Sequence, residues 1–182
     1  MDSLVAGVLA LPSLQVLEGK GLKLNDNELT VDQKAANYET CRHVEQVRRF
    51  LTLFVKELLD RANEHDQSKL EHPEVEMFTE FAPKLAASTY GSPEYEGFRK
   101  AMGPALAHHY AKNRHHPEHF KDGVEDMNLL DLVEMFCDWK AATMRHNDGN
   151  LRKSIQVNAK RFDFTRQLER IFENTADLVD GK

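Results

Sequence analysis

From Asp32 onward the apolar residues recur at spacings of three and four, as in Val44, Val47, Leu51, Phe54, Leu58 and Ala62, which is the period of an amphipathic helix. The spacing predicts one long helix ending near Asn63. A polar break, NEHDQSKLEHPE, follows. Pro73 then suits the first turn of a second helix reaching about Ala87, with Glu74 and Glu76 near its positive end. A third helix is expected from Pro93 to about Asn113, kinked or split at Gly103 and Pro104. Asn128 can cap a fourth from Leu129 to about Arg145, which HNDGN ends. A last helix is expected from about Leu151 to Leu178, with Ile155, Phe162, Leu168, Ile171 and Phe172 as its apolar positions. Residues 1–31 differ, with short apolar runs around Gly19, Gly21 and an Asn-Asp-Asn cluster. That texture predicts an extended N-terminal arm, open to forming a short hairpin. The expectation is an all-α domain over residues 32–182 preceded by this arm.

Composition narrows the function classes. A length of 182 residues suits one domain with its own core. The formal charge of -6, without any block of lysine and arginine, leaves no footprint for gripping a nucleic-acid duplex. Cys41 and Cys137 are the two cysteines, read as reduced thiols in a reducing compartment. The N-terminal apolar stretch lacks a basic start and is interrupted by Pro12, so it makes a poor signal peptide. No apolar run approaches the roughly 20 residues of a membrane span. A cytoplasmic protein without a membrane partner is expected.

Candidate chemistry concentrates in the histidines. Of nine, His65 and His72 flank one polar break, and His108, His109, His115, His116 and His119 fall within twelve residues around another. A core gains nothing from such crowding, whereas imidazole is a metal ligand and a proton carrier near neutral pH. Asp131, Glu134 and Asp138, spaced by three and four, share one helix face. Asp138 lies within EMFCDWKAA, surroundings in which a carboxylate needs a cation or a metal. In HDQSK, adjacent His65 and Asp66 occupy an inter-helix turn and can meet one metal. His109, His115, His116, Glu134 and Asp138 therefore join His65 and Asp66 as candidate ligands.

His43, the pair His65 and Asp66 in an HDxxK context, the paired His115 and His116, and Asp138 together resemble the HD-domain metal-dependent phosphohydrolases. HDQSKL, NRHHPEHF and EMFCDWKAA look like an uncharacterised family of bacterial and phage proteins over about residues 38–175, a likeness that brings no activity with it. The HD resemblance implies an HD-like helical bundle in which His43, His65, Asp66 and Asp138 bind a divalent metal. His115 and His116 would hold a second. One or two ions per chain are expected, drawn from manganese, magnesium, cobalt, zinc or iron, with a nucleotide or similar phosphorylated small molecule as substrate. Lys69 would face the phosphate, Lys69 or Arg114 would neutralise developing charge, and Glu118 or His119 would relay the proton. One departure stands out: no glycine or proline separates His43 from His65, and one straight helix would hold them roughly 33 Å apart. Two alternatives remain beside hydrolysis. One is a non-haem di-iron oxygenase on a similar scaffold; the other is a metal-stabilised binding protein whose arm docks on a partner or on a second copy as a homodimer.

Overall fold

The computed structural model describes residues 29–89, 91–145 and 149–180. Among these residues it is all-α, with seven helices and no strand. The chain divides into two units, Met1–Arg48 and Arg49–Lys182. The arm expected over residues 1–31, with its hairpin, lies almost wholly outside the described residues. No helix among them is long and apolar enough to cross a membrane.

Helix α1 (Val31–Glu64) runs without interruption and has no buried residue. The turn that would carry His43 back toward His65 does not form, because nothing in this stretch breaks a helix. Helices α2 (Glu74–Ala87), α3 (Pro93–Ala101) and α4 (Gly103–Lys112) pack on one another. Phe81, Met102 and Ala105 are buried in this group. The Ser92 hydroxyl accepts from the Tyr95 amide at 3.1 Å and Pro93 opens α3, satisfying groups that a helix start leaves free. The expected split falls at Met102, between α3 and α4.

Helices α5 (Leu129–Thr143), α6 (Leu151–Arg161) and α7 (Arg166–Val179) enclose the main core. Met135, Phe136 and Trp139 of α5 meet Leu151 and Ile155 of α6 and Phe172 and Ala176 of α7. Phe136 and Phe172 stack with centroids 5.7 Å apart; each large apolar side chain removed from water here contributes about 1.5–3 kcal/mol. A capping box starts α5: the Asn128 side chain accepts from the Asp131 amide at 3.0 Å, and Asp131 accepts from the Asn128 amide at 2.9 Å. The single last helix expected from the sequence is two. Asp163 takes a φ of 52°, a left-handed turn that ends α6, and Thr165 caps α7 through the Leu168 amide. Phe162 and Phe164 fold back onto the core instead of continuing the helix.

Candidate metal centre

Four separated stretches of the second unit converge. His65 follows the last residue of α1, and Asp66 takes a φ of 58°, a left-handed conformation that a short polar residue tolerates. Asp66 thereby stops the helix, and Gln67–Leu70 close into a 3-10 turn. Buried His109 lies on α4, while His115 and His116 lie between α4 and the 3-10 turn Pro117–His119. Glu134 and Asp138 are one turn apart on α5.

Three sets of ligand-type atoms, each gathered within 4.8 Å, result: Asp66 with His109, His115 and His116; His65 with Asp66 and Asp138; and His65 with His115 and Glu134. In the first, Asp66 Oδ1 lies 3.3 Å from His109 Nε2 and 3.5 Å from His115 Nε2, and the His109 and His116 Nε2 atoms face each other at 2.9 Å. In the second, His65 Nε2 lies 3.5 Å from Asp66 Oδ2 and 3.7 Å from Asp138 Oδ1. Ligands bonded at about 2.1 Å to a four- or six-coordinate ion sit about 3.0–3.4 Å apart, close to these spacings. Asp66 Oδ1 and His115 Nε2 are buried with no hydrogen-bond partner among the described residues. Leaving two such atoms unpaired costs about 1–3 kcal/mol each, and a cation between them would remove that cost.

The third set differs in kind, because Glu134 meets the far side of the imidazoles. Its Oε1 accepts from His65 Nδ1 at 3.0 Å and from His115 Nδ1 at 3.1 Å. Buried Glu74 of α2 serves His109 in the same way, with Oε2 at 2.8 Å from Nδ1, while its Oε1 meets His108 Nδ1 at 2.7 Å. Donation from Nδ1 leaves the Nε2 atoms of His109 and His115 facing the centre, and carboxylate support of this kind orients ligating histidines. Arg61, one turn before His65, binds Glu134 Oε2 at 3.3 Å and the fully buried Asp131 at 2.7 Å. Arg114 grips Asp131 with two bonds, at 3.1 and 3.0 Å.

Charge follows this wiring. The nearby carboxylate of Asp138 and then the bond to Glu134 push His65 up to about 10. Burial opposes ionisation of Asp138, but the His65 imidazole 3.7 Å away and the nearby His115 and His116 draw it down to about 2. Burial likewise resists the charge of Glu134, and its bonds to His115 and His65 overcome it, well below the carboxylate range. Burial, then the crowding of His115 and His109, takes His116 down to about 2. His116 is therefore a neutral imidazole throughout the physiological range, the form in which it could hold a metal.

Of the remaining candidates, His43, Arg114, Glu118 and His119 are placed elsewhere, while Lys69 stays beside Asp66. His43 is exposed on the unbroken α1 and joins none of the three sets. Arg114 serves Asp131, and Glu118 pairs with Arg161 at 2.6 Å. His119 Nδ1 bonds the Tyr110 carbonyl at 2.9 Å. Lys69 reaches Asp66 Oδ2 at 2.5 Å. Glu134, expected as a ligand, holds two ligand rings from behind. Glu74, Arg61, Ser68 and Asn113 escaped the sequence reading; Asn113 Nδ2 donates to Ser68 Oγ, which donates to Glu74. Only the fold brings Glu74 to the histidines, whereas Arg61, Ser68 and Asn113 stand within four residues of His65 or His109 along the chain, the local signal that could have found them.

A cleft of about 890 Å³ opens beside the centre, and Lys69, His109, His116 and Asp138 form part of its wall. Arg99, Arg145, Lys153 and Arg161 line it as well, so among the described residues of its wall Asp138 is the one carboxylate beside five lysines and arginines. A family model described as a family of unknown function, DUF5662, matches residues 32–180. The chain belongs to the DUF5662 family. No curated protein and no solved structure matches it. The DUF5662 match spans every residue of the centre and of the cleft wall named above.

Proposed function

We propose that this DUF5662 protein is a metal-dependent phosphohydrolase holding two divalent ions on either side of Asp66. The unpartnered buried pair, Asp66 Oδ1 and His115 Nε2, carries the reading. Asp66 Oδ1 faces His109 and His115 while Oδ2 faces His65, so one carboxylate serves both sets. His109, His115 and His116 would hold the first ion with Asp66, and His65 and Asp138 the second. When bound, such ions supply a Lewis acid for a phosphoryl oxygen and lower the pKa of water. Lys69, beside Asp66, neutralises charge gathering on the phosphate. The excess of cations along the cleft favours an anionic substrate, a nucleotide or similar phosphorylated small molecule, over the dioxygen chemistry of a di-iron oxygenase. The HD-like assignment rests on the HD pair, the paired histidines and Asp138; His43, on the uninterrupted α1 and in none of the three sets, falls outside that pattern.

Elemental analysis of the purified chain, repeated on His65→Ala, His116→Ala and Asp66→Ala, is the test, paired with turnover of bis-p-nitrophenyl phosphate after reloading with manganese. One or two equivalents of metal, reduced in each variant, with activity lost in parallel, is the expected result. Iron with an oxygen-sensitive absorbance and no phosphoester turnover would replace hydrolysis by oxygenation. Full metal in all three variants would overturn the site.

A further inference from the structure

Helix α1 shows an apolar surface that none of the metal chemistry uses. Over residues 49–64, which belong to the second unit, no side chain is buried. Phe50, Leu51, Phe54, Val55 and Leu59 are nonetheless 57%, 58%, 48%, 56% and 48% exposed. At 100° per residue these five and half-buried Leu58 cover about half of the helix circumference, wider than the roughly 100° stripe a surface helix needs. Leu51, Phe54 and Leu58 continue the alternating steps of three and four set by Val44 and Val47, the spacing of a helix-to-helix seam. Contiguous exposed apolar surface beyond a few hundred Å² marks an interaction site.

We infer that this face is a homodimer interface in which α1 of one copy packs against α1 of a second. The spacing asks for a helical occupant rather than an extended one, and a second copy brings a helix of matched length and pattern. With Val47, also exposed, and half-buried Leu58, seven side chains at about 85 Å² each offer about 600 Å² per copy. Two copies then bury about 1,200 Å², at the lower edge of the 1,200–2,000 Å² of a stable interface. The pairing is isologous, each copy using the same patch. It is independent of the metal centre.

Sedimentation velocity of the full chain across a hundredfold concentration range is the test. A species of about 42 kDa, twice the 20.9 kDa chain, is expected. Phe54→Glu and, separately, Leu51→Glu should raise the dissociation constant at least about 100-fold, since each puts a charge in the centre of the seam. Leu178→Glu, on an exposed position of α7, should leave the dimer intact. Bound metal and helical content should be unchanged in all three. Should either seam variant misfold, hydrogen exchange of the native chain decides: protection of amides 50–59 should fall on dilution. A native chain that stays monomeric with these amides protected means that residues 1–28 cover the face. A monomer with the amides unprotected leaves the face to another protein. A dimer indifferent to both seam variants uses another surface. Each of these three outcomes overturns the inference.

Discussion

Glu134→Gln probes the wiring of the centre without removing a proposed ligand. Glu134 Oε1 accepts from both His65 Nδ1 and His115 Nδ1, and Oε2 faces Arg61. An amide has one accepting oxygen and one donating nitrogen. If the oxygen stays with the imidazoles, the amide nitrogen meets the Arg61 guanidinium, donor against donor. If the amide turns over, both Nδ1 atoms must accept, and the protons move to the Nε2 atoms that face Asp66 and Asp138. Either arrangement harms two ligand rings at once. Loss of one supporting partner typically costs 10- to 100-fold in metal affinity, and two rings place Glu134→Gln near 100-fold, about 2.7 kcal/mol. The assay is chelator competition for zinc or manganese at pH 7 on protein of native helical content. An affinity within about threefold of the parent would refute the claim that Glu134 orients His65 and His115, and would leave it a surface carboxylate.

Three further outcomes follow from the same geometry. Asp131→Ala removes a fully buried carboxylate shared by Arg61 and Arg114, along with half of the α5 capping box; a loss of about 3 kcal/mol is expected, a Tm drop of about 6–12 °C by thermal melting, and a drop under 2 °C would contradict it. The metal-free protein should be most stable near pH 6.5, because His116, lowered to about 2 and neutral in the fold, lets protonation of the unfolded chain draw stability away as pH falls below about 6.5. Glu134 and Asp138, held low, contribute fully above an unfolded pKa of about 4 and lose this as pH falls through their depressed values. His65, raised to about 10, contributes fully below about 6.5 and loses this as pH rises through 10; a Tm that climbs steadily above pH 7 in chelator-treated protein would count against the ion pairs. His43→Ala, at an exposed position outside the three sets, should leave bound metal unchanged, and loss of an equivalent would return His43 to the ligands.

The helices were legible wherever a cap or a breaker stands in the sequence, as at Ser92-Pro93 and Asn128. The break between α6 and α7 was not, because Phe162 and Phe164 look like further turns of an apolar stripe and the left-handed Asp163 carries no such mark. Composition exposed the centre itself, since histidines crowd around 109–116 and Asp138 sits among core residues. Division of labour within it was hidden. Glu134 and Asp138 occupy similar positions on one face of α5, and only their distance from Nδ1 or Nε2 separates a support from a proposed ligand. Glu74 stands 35 residues from His109, beyond any local pattern.

The gathered side chains lie far apart along the chain, at 65–66, 109–116 and 134–138. An ion held by all three would act as a removable cross-link, closing loops of roughly 20 to 70 residues that the unfolded chain leaves open. Free metal at 1,000 times its dissociation constant adds about 4 kcal/mol to the folded state, a large share of the 5–15 kcal/mol that holds a typical domain together. Metal supply would then set how long the chain survives proteolysis as well as what it can do. A cell starved of the ion would hold less of this protein, whatever its rate of synthesis.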